Sequence, residues 1–417
     1  MTHGKTQSLR FAIVATVVGN TLEWFDLALV GVLAPLFAQL FFPPNSSPSY
    51  PLLFFALSAF ARPIGGFVFG RLGDRSGRKN ALVRTVMLMT VPVFLLALLP
   101  SYNEIKDLAI VVLAIVCLLQ GFSIGGEFPG SIVFLVETAP KKLRGYVGSF
   151  AYFGALLGML ISSSDLYFID KNTTGSYFDM WGWRFPFIIG TVLGVIAIFF
   201  RMALRETPIF KEEMKTGAII KSPVLTSFKH SKQLILGLWI FMLDAVGFNL
   251  IIIFSSHYFT TVLGLTLRQA FLINAFTVSC ALIAIPIAGK LSNHWGAYKL
   301  SRWAASAMVV LVFPLYLMMN PQTLWTIYFA QGVLAVLLSL YLANLPAIVA
   351  DLFPPPVRYS SAAIVTNFSV ALFGGTAPLL VAYLIDHTKF HPLPALYIIA
   401  GALISLFALR KQALLFR

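Results

Sequence analysis

The chain reads as an all-α membrane protein, with twelve transmembrane helices arranged as two six-helix bundles. Three observations carry that reading. The first is composition: of 417 residues, 58% are hydrophobic and 11% charged, and the mean hydropathy is +0.85. A soluble domain of this size cannot bury that much apolar surface. The second is spacing. Apolar runs of about 20 residues, enough to span a hydrocarbon core of roughly 30 Å, alternate with polar connections. The third is charge. The net charge is +14, but no basic domain of a nucleic-acid-binding kind exists; the cations sit in short loops between apolar runs.

The elements follow in order. Lys5 and Arg10 precede an apolar run over 11–40. Its length, the acids Glu23 and Asp26 inside it, and the lack of a small-x-small site at its end argue for a retained first helix and against a cleaved leader. Residues 43–50 form an uncharged external loop. Helices two (52–69) and three (81–99) are antiparallel neighbours joined by the basic hinge Gly70-Arg71-Leu72-Gly73-Asp74-Arg75-Ser76-Gly77-Arg78-Lys79. Helix four covers 108–137, an inner loop with Lys141, Lys142 and Arg144 covers 139–145, and helix five covers 146–169. A polar external stretch (170–181) leads to helix six, 182–203. Residues 204–230 are hydrophilic and basic, and carry Pro208 and Pro223. They divide an N-terminal bundle (1–203) from a C-terminal one (231–417) as a cytoplasmic linker. The second bundle repeats the plan at 232–262, 269–289, 300–319, 323–350, 359–385 and 395–409.

Orientation follows from the cations. Of 30 Lys and Arg, 24 fall on one side under this topology, in inner loops, tails and helix ends, Arg201 among them at the end of helix six; Arg62 alone is assigned to a helix interior. Both termini are therefore expected in the cytoplasm of a multi-pass inner-membrane protein. An internal repeat gives independent support. Gly70, Asp74 and Gly77 face Gly289, Asn293 and Gly296; Glu137, Pro140 and Arg144 face Asp351, Pro354 and Arg358. Nearly equal offsets mean two homologous halves in parallel orientation.

Function classes narrow next. Cys117 and Cys280 lie in apolar runs, where they read as small core residues. No phosphate-binding glycine loop, His-Glu-x-x-His or Cys/His cluster is present, so nucleotide hydrolysis and a metal site have no sequence support. What stands out is ionisable groups inside the bilayer, which cost at least ~2.5–3.5 kcal/mol each on insertion scales. Glu23 and Asp26 are three apart and share a helix face. Arg62, followed by Pro63, Gly65 and Gly66, and Glu127, preceded by Gly125 and Gly126, sit mid-helix; Asp244 and Asn249 populate helix seven. Three acids (Glu23, Asp26, Glu127) against one cation leave a surplus, and surplus buried acids are natural proton sites.

The hinge resembles the signature loop of the major facilitator superfamily, with Gly70, Asp74, Arg75, Gly77, Arg78 and Lys79 matching position for position. Within it the chain resembles the metabolite:proton symporter family. Gly19-Asn20-x-x-Glu23-Trp24-Phe25-Asp26, Arg62-Pro63, Gln120-Gly121-Phe122-Ser123-x-Gly125-Gly126-Glu127, Gly182-Trp183-Arg184 and Arg205-Glu206-Thr207-Pro208-x-Phe210 follow in family order. The likeness is thinner in the second half, resting on Asp351-x-Phe353-Pro354 and Arg358, and it departs at Cys117, where the family carries an arginine. The resemblance implies a monomeric secondary transporter of a betaine, amino acid or organic acid, driven by the proton gradient without a cofactor. Proton coupling is expected at Asp26 and Glu127 first, then Glu23. Arg62, Trp24, Phe25, Gln120, Tyr152, Asp244 and Asn249 form the charge-partner and substrate set. Gly70, Asp74, Arg75, Gly77, Arg78, Glu137, Arg144, Asp351 and Arg358 form the gate, where Asp74 would hold the cytoplasmic side shut against the N-terminus of helix eleven. An exporter of the same fold, a transport-inactive sensor and a membrane-embedded enzyme are the rival classes; the last lacks a clustered nucleophile and base.

Overall fold

The computed structural model describes residues 8–43, 50–172 and 181–415. The external loops expected at 43–50 and 170–181 lie almost wholly outside those residues. The first bundle comprises α1 (Leu9–Val32), α2 (Tyr50–Ser76), α3 (Arg78–Leu98), α4 (Asp107–Thr138), α5 (Arg144–Asn172) and α6 (Phe185–Met202). The second comprises α7 (Ser231–Ile253), α8 (Leu267–Trp295), α9 (Ala297–Leu317), α10 (Leu324–Leu352), α11 (Pro355–Thr388) and α12 (Leu393–Leu415). Eleven of these are long and apolar enough to cross a membrane, and α2, 27 residues long, is the twelfth crossing. Two short linker helices, Pro208–Thr216 and Pro223–Lys229, connect the bundles.

Local chemistry sets the element ends. The Ser8 hydroxyl accepts the Phe11 N–H at 3.2 Å and starts α1. The hinge is shorter than its sequence suggests: α2 runs helically through Asp74 to Ser76, and α3 begins at Arg78. Only Gly77 breaks the chain, at φ +108°, a conformation open to glycine. Its repeat counterpart Gly296 breaks α8 from α9 at φ +84°.

Inside the first bundle α2 packs on α4 and α1 on α5; between bundles the seams are α5 against α8 and α2 against α11. The α2–α4 crossing is close because Gly65, Gly121 and Gly125 place bare backbone against the backbones of Phe122, Ser58 and Arg62. Large apolar side chains such as Phe60, Ile64, Phe199, Ile283, Val310 and Phe407 are exposed on the outer surface. That much outward apolar area suits a lipid-facing wall.

Candidate functional site

A cavity of about 50 Å³ lies between the bundles, with further space around it that opens to solvent. The first bundle lines it with Trp24, Arg62, Phe128 and Tyr152; the second with Asp244, Phe248, Asn249 and Asn367. The aromatic rings form a continuous wall: Trp24 to Phe248 at 4.9 Å across the bundle interface, Trp24 to Phe128 at 5.8 Å, and Phe128 to Tyr152 at 5.1 Å. The Trp24 indole N–H and the Arg62 Nε are buried without a hydrogen-bond partner, and the Tyr152 hydroxyl faces Asp244.

Five of the seven residues in the expected substrate set line this cavity: Arg62, Trp24, Tyr152, Asp244 and Asn249. Phe25 does not. It sits on the opposite face of α1 in an apolar cluster with Val93, Leu96 and Phe187, because its neighbour Trp24 takes the cavity side. Gln120 is buried on α4, one turn before the lining residue Ile124, and stays outside the lining. Phe128, Phe248 and Asn367 are lining residues that sequence reasoning missed. The first two stand one residue after Glu127 and one before Asn249, so a search of the neighbours of each polar candidate would have found them.

Behind the cavity lies a polar cluster with a different partner scheme from the expected one. The cation count puts Arg201 at the inner end of helix six, among the charges of the membrane boundary; the structure buries it fully in the last turn of α6. Its Nη2 pairs with Glu127 Oε1 and donates to Ser131 Oγ at 2.9 Å; its Nη1 reaches Thr16 Oγ1 at 3.4 Å. Glu127 Oε2 accepts from the Thr85 hydroxyl. Ser131 donates to Asn20 Oδ1 at 2.7 Å, and Asn20 Nδ2 donates to the Ala151 carbonyl at 2.9 Å. Gly19 leaves the room that the guanidinium occupies. Two signals pointed to Arg201: the surplus of acids, and the tilt of helical side chains toward the N-terminus, which carries a last-turn arginine back into the membrane.

Glu23 and Asp26 diverge, although they are three residues apart. Residues at that spacing are offset by about 60° on a helix of 3.6 residues per turn, enough for α1, wedged between neighbours, to send them to different seams. Glu23 is fully buried, with Glu127, Arg62 and Arg201 as the charges acting on it, and neither oxygen has a hydrogen-bond partner. Asp26 points at Gly190 of α6, beside Val93 and Phe25. Its oxygens also lack partners, and no charged group among the described residues acts on it.

At the linker end the bundles are clasped together. Asp74 accepts the N–H groups of Tyr359 (3.0 Å) and Ser360 (2.8 Å) at the start of the segment Arg358–Ser369 in α11. Arg78, fully buried, stands 3.5 Å from Asp74, donates to Glu137 Oε2 at 3.0 Å, and donates to the Pro355 carbonyl at 2.7 Å. Arg358 donates to the other Glu137 oxygen at 3.0 Å and to the Ala350 carbonyl at 3.0 Å. Glu137 thus bridges one arginine from each bundle. Asp351 lies within the field of Arg144, Arg358 and Lys141, and Arg75 is exposed. Gly70 allows α2 to approach Ser360 closely. The repeat holds here as well: Asn293 of α8 accepts the Tyr146 N–H of α5 at 3.3 Å, a single neutral bond where Asp74 makes two.

The linker joins this clasp, which its hydrophilic sequence did not announce. Glu206 accepts the N–H groups of Arg78 (3.1 Å) and Lys79 (3.1 Å) and so caps α3. The Thr207 hydroxyl donates to Glu137 at 2.9 Å, and the Phe210 ring stacks 5.0 Å from the Arg78 guanidinium. Glu213 lies 3.5 Å from Arg78 and accepts no hydrogen bond. Burial raises its carboxyl to about 7, with Arg78 drawing it back down. Burial likewise raises Glu206, against its backbone N–H bonds and Arg78.

Two bundles around a central polar cavity, with a clasp closing one end, define a secondary transporter. Residues 11–218 match the family described as Sugar (and other) transporter. The glycine betaine/proline/ectoine/pipecolic acid transporter OusA of Dickeya dadantii is 31% identical over 411 residues, covering 95% of this chain and 82% of the relative. The proline/betaine transporter of Escherichia coli strain K12 is 30% identical over 412 residues, with the same coverage. Among solved structures, the proton:xylose symporter XylE bound to 6-bromo-6-deoxy-D-glucose gives a TM-score of 0.81 at 18% identity, over 97% of this chain and 95% of that one, a likeness of fold. The chain belongs to the major facilitator superfamily, in the family of these proline/betaine transporters, and is a multi-pass membrane transporter of small metabolites.

Proposed function

We propose that the protein takes up a small zwitterion, of the proline or betaine type carried by its named relatives, together with protons. The observation that carries this is the pair of charges in one aromatic cavity: Arg62 from the first bundle and Asp244 from the second. A zwitterion presents a carboxylate to the guanidinium and an ammonium to the carboxylate. The rings of Trp24, Phe128 and Phe248 suit the alkyl-ammonium body through cation–π contact. Closure around such a solute joins the bundles through their opposite charges, and alternating access then moves it across.

The driving force is the proton gradient, with no cofactor, and a potential adds ~2.3 kcal/mol per charge per 100 mV. The protein acts as a monomer in the inner membrane, termini and linker in the cytoplasm, as the cation asymmetry favours. The Asp74 clasp is then the cytoplasmic gate, and the structure is closed on that side. Proteoliposomes with an imposed inward proton gradient test the reading. Labelled glycine betaine or proline should accumulate, and a protonophore should abolish accumulation. Arg62→Gln and Asp244→Asn should each lose most of the uptake. Wild-type uptake indifferent to both gradient and protonophore refutes symport; full uptake by Arg62→Gln refutes the placement of the carboxylate.

A further inference from the structure

Arg62 stands between two anions. It lines the cavity, where a solute carboxylate would meet it, and the protein charge that acts on it is Glu23, which does not line the cavity. The other cation near Glu23 is already committed: Arg201 is held by Glu127, Ser131 and Thr16. Glu127 in turn has both oxygens filled, by Arg201 and Thr85. Arg62 makes no ion pair within 4 Å among the described residues, and its Nε is unpartnered. Glu23 is fully buried with both oxygens bare. The groups facing it are Arg62 from α2, Glu127 from α4 and Arg201 from α6, while Asp26 on its own helix turns away to Gly190.

We infer that the solute carboxylate and Glu23 compete for Arg62, and that this competition places the transported proton on Glu23. In the empty site Arg62 offsets the Glu23 charge. When the solute carboxylate takes the guanidinium, Glu23 is left ionised in a dry pocket with Glu127 as a like charge beside it, a costly arrangement. A proton from the open side neutralises it. On release of the solute at the other side, the Arg62 charge again offsets Glu23 and the proton leaves. One proton thus accompanies one carboxylate, and Arg201 acts as a positioning residue that keeps Glu127 out of the exchange. Asp26, with no cation to gain or lose, is not the carrier.

This inference rests on the reading that the cavity takes a carboxylate-bearing solute, and the test separates the two. Purified full-length protein in lightly buffered detergent is mixed with saturating glycine betaine, while a pH-indicator dye reads proton uptake and tritiated betaine reads binding. Wild type should take up close to one proton per bound betaine. Glu23→Gln should bind betaine with uptake reduced at least tenfold, and Asp26→Asn should keep proton uptake. If Glu23→Gln does not assemble, infrared difference spectra serve. A protonated-carboxyl band should appear in wild type on betaine addition and should shift in Glu23→Asp. Binding without proton uptake or carboxyl band in wild type overturns the exchange alone, as does undiminished uptake in Glu23→Gln. Absence of betaine and proline binding in wild type overturns the substrate reading and the exchange with it.

Discussion

The clasp at Asp74 can be weakened by a single atom change. In Asp74→Asn the side chain keeps its size, but one of the two oxygens that accept the Tyr359 and Ser360 N–H groups at 3.0 and 2.8 Å becomes an NH₂ group facing an N–H. The loss of one hydrogen bond to a charged acceptor is worth about 1.5–3 kcal/mol. The helix N-terminus also loses its anion, about 0.3–2 kcal/mol. A combined loss of about 2–5 kcal/mol shifts the ratio of closed to open gate by ~30- to 4,000-fold, at about 1.4 kcal/mol per tenfold. Arg78 remains tied to Glu137 and Pro355, so the linker stays docked. Spin labels at the exposed Arg75 and His294, one in each bundle, in a background lacking Cys117 and Cys280, read the separation by pulsed electron resonance. The variant should gain a population at longer distance and transport more slowly. An unchanged distance distribution would mean that Asp74 does not hold the bundles together.

Two further outcomes follow from neighbouring residues. Glu213 is raised to about 7 in the docked linker against an ordinary 4.5, so the docked state binds the proton more tightly. Docking is strongest at acidic pH, weakens as pH rises from about 4.5 to 7 and is level above that; a label pair at Arg75 and the exposed Lys215 of the linker, followed from pH 5.5 to 8.5, should show it, and Glu213→Gln should flatten the profile. Gly19→Ala puts a methyl group 2.5 Å from Arg201 Nη2 and should push the guanidinium off Glu127. The cost should reach up to about 3–5 kcal/mol, the range for breaking a buried pair, read as a lower midpoint of thermal unfolding; a midpoint at the wild-type value would deny the pair any part in stability.

Helix number, order and the two-bundle plan are legible in the sequence because each rests on a run of some 20 apolar residues, a signal that tertiary contacts do not overwrite. The clasp is legible for a related reason. A charged, glycine-punctuated stretch between two such runs has few places to go, and Asp74, Arg78, Glu137 and Arg358 meet there. The partners inside the bundles are not legible to the same degree. Sequence places Arg201 at a membrane boundary and leaves Arg62 to answer three acids; only the packing of α6 against α1 shows that Arg201 belongs to Glu127. Helical spacing puts Glu23 and Asp26 on one face, yet a 60° difference decides between a charged seam and an apolar one. The linker reads by composition as a hydrophilic, basic connection. Its docking depends on Glu206, Thr207 and Phe210 meeting groups 70 or more residues away in the first bundle.

The gate and the buried acids are joined by one helix. Tyr359 gives its backbone N–H to Asp74 and its hydroxyl to the Gly126 carbonyl at 2.9 Å; two turns on, Asn367 donates to the Gly125 carbonyl at 2.8 Å and lines the cavity. Gly125 and Gly126 directly precede Glu127 on α4, and α11 comes this close because Gly66 of α2 and Gly130 of α4 leave room for the Asn367 amide and the Tyr359 hydroxyl. On the proposed reading of the clasp as a gate, a movement of α11 that opens the linker side would release Asp74 and both carbonyls together and withdraw Asn367 from the cavity wall. The backbone beside Glu127 would then change its partners as the gate opens, which couples site and gate through one element and not through a chain of small displacements.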